Sequence, residues 1–336
     1  MSKPLSRRIS IAPMLDWTNR HCRYFMRLMT KHTLLYTEMI STGAIKYGDT
    51  HRFLAFSEEE HPIALQLGGS NPSDLAYCAK KAEQYGYDEL NLNVGCPSGR
   101  VQSGGWGACL MAKPALVADC VKAMQDATPI PVTVKTRIGI DDQDSYEALC
   151  HFISMVAATG CNTFIIHARK AWLQGLSPKE NRNVPPLRYD VVRQLKKDFP
   201  HLEIILNGGI KTIEAIETHL TEFDGVMIGR EAYRHPYLLS TFDELFFQAP
   251  ARDLSRETII SDYLRYAEMQ LTQGAPLQRL TKPLLGLFHQ APRGKYWRRY
   301  LSENVCKKGA GVEVVVDALG LCGASAKLEA AHPTKY

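Results

Sequence analysis

Residues 89–111 read ELNLNVGCPSGRVQSGGWGACLM. The opening reads as a short buried strand, and the remainder reads as a loop rich in Gly and Ser. On its N-terminal side, DLAYCAKKAEQYG (74–86) carries apolar residues at helical spacing and ends on a Gly stop. On its C-terminal side, ALVADCVKAMQDA (115–127) has the same spacing. A short β-rich run between two helical runs is one turn of a repeating rhythm.

Working outward, seven more such runs appear: ISIAPML (9–15), LLYTEMI (34–40), PIALQLG (62–68), PVTVKTRI (131–138), TFIIHAR (163–169), EIILNGG (203–209) and GVMIGRE (225–231). DSYEALCHFISMVAATG (144–160) is another helical stretch between them. Eight β-then-α units predict an α/β fold, a (β/α)8 TIM barrel with parallel strands and right-handed crossovers, over residues 1–242. From 243 the rhythm stops. DELFFQ, ETIISDYLRYAEMQL and TKPLLGLFH read as helices. A smaller C-terminal helical domain is therefore expected over 243–336, with GASAKLEAAHPTKY as a frayed tail.

Composition narrows the class. The 336 residues are 45% hydrophobic and 22% charged, as in ordinary globular proteins. No apolar run approaches the ~18 residues that span a bilayer. MSKPLSRRIS has no apolar core of the kind a secretory signal needs, so a cytoplasmic location is expected. Nine cysteines without a C-x-x-C pair give no support to a metal site, and most are expected to be buried as small apolar residues. The net charge is +5, yet between 279 and 308 eight basic residues face only Glu303. Such a cluster is either a solvated helical face or a surface for nucleic-acid phosphates.

In a barrel of this kind the active site lies at the C-terminal ends of the strands. Those ends hold Asp16, Glu38, Gln66, Asn91, Asn93, Cys96, Lys135, Arg137, His167, Arg169, Asn207 and Arg230, where packing alone would favour apolar residues. Asn207–Gly209 on the seventh run and Gly229-Arg230 on the eighth fit a phosphate nest. Gln66 can offer a donor and an acceptor to a heterocycle edge. Lys135 is suited to stabilise a negative charge, or else to pair with Glu38 or Asp16. Together these suit a flavin mononucleotide, FMN. The Cys96 thiol, after the fourth strand, is either a nucleophile activated by Lys135 or Arg137, or a general acid if it stays neutral. Pro97 fixes the turn, and the glycines at 104, 105 and 107 suggest an adaptable loop. Cys109, in the apolar run ACLMA, reads as a packing residue.

The motifs IAPMLDWTNR (11–20), ALQLGG (64–69), NLNVGCPS (91–98), VKTRIG (134–139), FIIHARKAWLQGLSPKENR (164–182), LNGGI (206–210), GREAYRHP (229–236) and WRRYLSEN (297–304) resemble those of the tRNA-dihydrouridine synthases, most of all the bacterial A-type branch. The resemblance spans the barrel in order and reaches into the last domain. It implies reduction of D-loop uridines in tRNA, at positions 20 and 20a, with NADPH as the source of electrons. It implies that Pro13, Met14, Leu15, Gln66, Lys135, His167, Asn207, Gly208, Gly209, Gly229 and Arg230 hold FMN. It implies hydride transfer from the flavin N5 to uracil C6, with Cys96 giving a proton to C5, and tRNA contacts from Asn93, Lys179, Arg182, Lys295 and Arg298. The chain departs from the family's usual residues at Gly99 and at Gly105-Trp106, in the loop expected to cover the target base. No metal and no obligatory oligomer are implied. Three other readings compete. One is a small-molecule flavin barrel of the dihydroorotate dehydrogenase type. Another is a non-redox phosphate-binding barrel using Lys135 as a Schiff base, and the third is an RNA-binding protein without catalysis.

Overall fold

The computed structural model describes residues 5–323; the expected frayed tail, but for its first residue Gly323, lies outside the described residues. Nine strands form: β1 Ile9–Ile11, β2 Leu34–Tyr36, β3 Ile40–Ser41, β4 Ile63–Gly68, β5 Glu89–Val94, β6 Val132–Arg137, β7 Thr163–His167, β8 Glu203–Asn207 and β9 Gly225–Ile228. Eight of them close a ring in the order β1, β2, β4, β5, β6, β7, β8, β9, with every pairing parallel. The ring shuts where β1 meets β9, with Ile11 opposite Ile228 and the Ala12 amide donating to the Ile228 carbonyl at 2.8 Å. The expected TIM barrel is thus the observed one. The extra strand, β3, lies along the C-terminal end of β4.

Each β-rich run contains one barrel strand, and alternation along the strand decides what the run buries. On β5, Leu90, Leu92 and Val94 are fully buried on one face while Glu89, Asn91 and Asn93 occupy the other. Register then aligns the second face across strands. Gln66 lies opposite Asn91, Asn91 opposite Thr133, Asn93 opposite Lys135, and His167 opposite Asn207. Tyr36, Ala64, Ile165, Ile205 and Met227, from five strands, meet in one apolar cluster inside the ring. The interior is apolar around β2, β7, β8 and β9 and polar along β5 and β6.

The helices form where their signals lie. Asn71 caps the helix Pro72–Tyr85 by accepting from the Asp74 amide at 3.1 Å, and Gly86 ends it at φ 84°. Ser145 caps Tyr146–Ala157 through the Ala148 amide at 3.1 Å. Of the nine cysteines, Cys22, Cys78, Cys120 and Cys161 are buried; four others are half-buried and Cys306 is exposed. The expectation of mostly buried thiols therefore fails, because Cys96, Cys109, Cys306 and Cys322 lie in turns, in a 3₁₀ helix or at helix ends rather than on the inward faces of helices, where Cys22, Cys78 and Cys120 are buried.

By contact the chain divides into two compact units: residues 1–20 with 32–229, and residues 21–31 with 230–336. In the second unit Asp243 is buried and accepts from the Thr30 hydroxyl at 2.6 Å and the Lys31 amide at 2.7 Å. Tyr24 stacks on Tyr266 with centroids 3.8 Å apart, and Phe25 meets Tyr263 edge-on at 5.4 Å. Trp297, fully buried, donates its indole N–H to the Leu284 carbonyl at 2.9 Å. Among the described residues no helix is long and apolar enough to cross a membrane.

Candidate active site

The C-terminal ends of β5 and β6 carry the densest polar constellation. The Gln66 amide donates to Asn91 Oδ1 at 2.8 Å and accepts from Asn93 Nδ2 at 2.9 Å. Asn93 Oδ1 accepts the backbone amides of Gly95, at 3.2 Å, and Cys96, at 3.0 Å, which fixes the turn that leaves β5. Cys96 sits at the head of that turn. Its carbonyl accepts from the Ala108 amide at 2.9 Å, which folds the loop back on itself.

The loop carries regular local structure. Residues Gly99–Ser103 make a helical turn and Gly107–Ala112 a 3₁₀ helix. Gly107, at φ 79°, is required by close approach: a Cβ there would lie 2.4 Å from Val101 Cγ1 and 2.6 Å from the Cys96 carbonyl oxygen. The Trp106 ring covers Gly68 so closely that a side chain at 68 would clash with it. Cys109 is half-buried rather than in the core, with its thiol 3.2 Å from the Trp106 carbonyl.

Arg137, at the end of β6, spends its guanidinium on carbonyls: Nε donates to Gly95 at 2.9 Å, and Nη1 to Lys170 at 3.0 Å and Asn181 at 3.1 Å. It thereby ties the Cys96 turn to the loop after β7. Gln102 makes a second tie by donating to the carbonyls of Pro97, at 2.8 Å, and Leu173, at 2.7 Å. Asn181, fully buried, organises that second loop by accepting from the Trp172 amide at 2.8 Å and donating to the Trp172 carbonyl at 2.9 Å. Ala108, Ile140 and Ala171 form a small apolar core beneath these loops. Lys179 and Arg182, on the loop after β7, are exposed.

Lys135 donates to Asn207 Oδ1 at 2.9 Å, and Asn207 in turn donates to the Met227 carbonyl at 2.8 Å. Lys135 thus reaches across to β8 and does not pair with Glu38 or Asp16. Burial first, and the neighbouring Arg137 second, bring its pKa down to about 7, with only Cys96 opposing. Burial also pushes the Cys96 thiol up, against the pull of the Ser98 backbone and the cations Arg137, Arg182 and Lys135. Cys96 therefore holds its proton at neutral pH, which favours the general acid over the activated nucleophile.

After β8, Gly208 at φ 123° and Gly209 at φ 73° turn the backbone past His167 and Leu187. A Cβ on Gly208 would stand 2.8 Å from His167 Cδ2, and one on Gly209 2.4 Å from Leu187 Cδ1. Tyr189 holds this turn by donating to the Gly208 carbonyl at 2.6 Å. Gly229 follows β9, and Arg230 opens the next helix, Arg230–Arg234. Pro13, Met14 and Leu15 follow β1 in a turn closed by the Trp17 and Thr18 amides on the Met14 carbonyl, at 3.1 and 2.9 Å. Gln66, Asn93, Cys96, Lys135 and Asn207 are linked by contact or register, and His167 adjoins the Gly208 turn.

This architecture has relatives. The dihydrouridine synthase (Dus) family profile matches residues 10–320. The chain belongs to the dihydrouridine synthase family. It is 61% identical over 313 residues to the tRNA-dihydrouridine(20/20a) synthase of Vibrio parahaemolyticus serotype O3:K6, covering 93% of this chain and 96% of the relative. It is 60% identical over 317 residues to the enzyme of the same name from Escherichia coli K12, covering 94% and 92%. Among solved structures it is similar to an old yellow enzyme homologue from Zymomonas mobilis, with TM-score 0.53, 14% identity and coverage of 75% of this chain and 92% of that one. A 2-naphthoyl-CoA reductase complex has TM-score 0.54, 12% identity and coverage of 70% and 50%. At those identities the two structures bear on the barrel alone.

Sequence reasoning did not single out Glu89, Thr133, Gln102, Asn181 or Tyr189, which support the family's site from behind. Asn181 lay within a quoted motif, and Glu89 opened the decisive strand as an acid in a buried run. Gln102 and Tyr189 left no signal, since their partners are backbone carbonyls far along the chain.

Proposed function

We propose that this member of the dihydrouridine synthase family reduces D-loop uridines of tRNA to 5,6-dihydrouridine, with FMN in the barrel mouth and NADPH as reductant. The observation that carries the reading is the setting of Cys96: a strand-end turn pinned by Asn93, with Arg137, Arg182 and Lys135 near and burial pushing the thiol up. The names of the relatives point to the same reaction and to positions 20 and 20a.

The residues fit the cofactor. The positive-φ glycines at 208 and 209 leave a cradle that a Cβ would fill. Gly229, Arg230, Pro13, Met14, Leu15 and His167 complete the proposed lining. Gln66 retains one N–H and one lone pair for a heterocycle edge after its two protein hydrogen bonds. Lys135 would face an anionic edge, and binding an anion there would raise its lowered pKa.

When bound, the flavin supplies the hydride that reaches uracil C6. Cys96 gives its thiol proton to C5, so that one hydride and one proton add across the C5=C6 bond. The thiolate left behind faces Lys135 and Arg137, and solvent returns its proton. Asn93 orients the Cys96 turn and keeps one amide proton for the base. Lys179 and Arg182 would hold RNA at the rim. Further RNA contacts come from Lys295, Arg298 and Arg299, exposed on one face of the helix Gly294–Asn304 while Trp297 and Leu301 are buried on the other. All eight basic residues between 279 and 308 are exposed, a charge excess for which a small-molecule dehydrogenase has no use.

The test joins two measurements. The protein as purified should show the visible flavin absorption band. tRNA from a strain lacking this activity should regain dihydrouridine by mass spectrometry when the chain is supplied. A colourless protein would return the reading to a non-redox barrel, and turnover of free orotate without tRNA would return it to a small-molecule dehydrogenase.

A further inference from the structure

Glu89 is fully buried at the first residue of β5, the opposite end of that strand from Cys96. It takes Arg7 as an ion-pair partner and accepts from the Tyr36 hydroxyl. Arg7 also reaches Glu203 at 3.1 Å. From Glu89 an unbroken series of side-chain hydrogen bonds runs up the barrel interior. Thr133 Oγ1 donates to Glu89 Oε1 at 2.8 Å, and Asn91 Nδ2 donates to Thr133 Oγ1 at 2.9 Å. Gln66 Nε2 donates to Asn91 Oδ1, Asn93 Nδ2 donates to Gln66 Oε1, and Asn93 Oδ1 receives the Gly95 and Cys96 amides.

An amide can be turned end for end at little cost in shape, so its direction depends on its partners. Here both ends of the series are unambiguous. A carboxylate paired with a guanidinium only accepts and is the nearer acceptor for the Thr133 hydroxyl, at 2.8 Å against 3.2 Å for the Leu90 carbonyl, so the Thr133 proton is drawn to the Glu89 side and its lone pairs face Asn91. Asn91 must then present its NH2 to Thr133 and its oxygen to Gln66, and the same logic turns Gln66 and Asn93. At the far end two backbone N–H groups can only donate, and they require the oxygen that this sequence of constraints delivers. A donor in place of the carboxylate would set the ladder against the Cys96 turn.

We infer that Glu89 is a positioning residue for Cys96. Acting through Thr133, Asn91, Gln66 and Asn93, it fixes the direction of three amides and so pins the turn that carries the thiol. The consequence for uridine reduction rests on the role proposed above for Cys96; the consequence for the turn does not.

The test uses the full chain as purified. A brief iodoacetamide pulse is followed by peptide mapping, and labelling of Cys96 is read against the exposed Cys306 in the same molecule. Thr133→Val keeps the shape and removes the hydroxyl; the Cys96-to-Cys306 ratio should rise roughly fivefold, the weight of one missing hydrogen bond on opening of the turn. Thr133→Ser restores the hydroxyl and should return the ratio to that of the unmodified chain. Glu89→Gln, which keeps the size but brings a donor, should raise the ratio as Thr133→Val does. An unchanged ratio in Thr133→Val or in Glu89→Gln, or a Thr133→Ser protein that labels like Thr133→Val, overturns the inference. Uridine reduction measured on the same proteins separates the two claims: a raised ratio with undiminished turnover keeps the positioning role and removes Cys96 from the reaction.

Discussion

Cys96 and Cys109 lie thirteen residues apart on one loop, and the proposed mechanism gives only the first a part in the reaction. Cys96→Ala should retain flavin and its reduction by NADPH, while transfer to uridine falls roughly 10²–10⁴-fold, the contribution of a positioned acid. Cys109→Ala should cost about 1 kcal/mol of stability and leave the rate alone. Single-turnover oxidation of the reduced protein by tRNA distinguishes them, and a stall in Cys109→Ala alone would move the proton donor. Because burial raises the Cys96 thiol, the loss of activity on the alkaline side should fall above the ordinary thiol range near 8.5. Lys135 makes a second prediction for the flavin-free protein. Its folded pKa is about 7 against an ordinary 10.5, so between those values the unfolded chain binds more protons and stability gains with rising pH. Lys135→Met should flatten the dependence of Tm on pH across that window; an equal slope in both proteins would place the lysine in contact with water.

Two elements have opposite demands. The turn after β8 needs backbone with no side chain. Gly208→Ala, at a positive φ and 2.8 Å from His167, should cost at least about 1–2 kcal/mol and release flavin, read as the absorbance ratio of visible to protein bands. The helix Gly294–Asn304 serves the proposed RNA contact through its exposed charges, while Trp297 and Leu301 seat it. Replacing Lys295, Arg298 and Arg299 with Gln should weaken tRNA binding and lower the slope of log K against log salt by roughly 0.7–0.9 for each phosphate no longer neutralised. Arg299 already pairs with Glu303 at 2.8 Å, so its share should be the smallest. Reduction by NADPH should be unaffected. An unchanged slope would make this face merely solvated.

The molecule as a whole was readable to different depths. The eight barrel strands could be placed from β-rich runs at regular intervals because each strand is buried between helices and an interior, and both demands mark the sequence. The mouth was readable for a related reason: polar residues at all eight strand ends had no packing explanation. What escaped was support by distant partners. Nothing in Gln102 announces the Leu173 carbonyl, and nothing in Tyr189 announces Gly208, since backbone acceptors are the same at every position. Composition does not tell a flexible glycine from one forced by close approach, as Gly107 is by Val101 and the Cys96 carbonyl. Chain segment 21–31 escaped for another reason. It comes after β1 as any barrel helix would, and its apolar face alone does not say which core it joins.

That segment bears on how the protein is made. Phe25, Met26 and Met29 leave the ribosome about two hundred residues before the stretch from Arg230 that they join in one compact unit. Until then Phe25 lacks the Tyr263 ring that it meets edge-on. Cutting the gene at 229 would therefore not liberate a clean barrel. It would leave Phe25 without the Tyr263 ring, and the excised C-terminal piece would lack the helix Arg20–Met29. An independent version of the second unit requires grafting 21–31 onto it, so the two halves of this enzyme cannot be shuffled between genes by a single crossover.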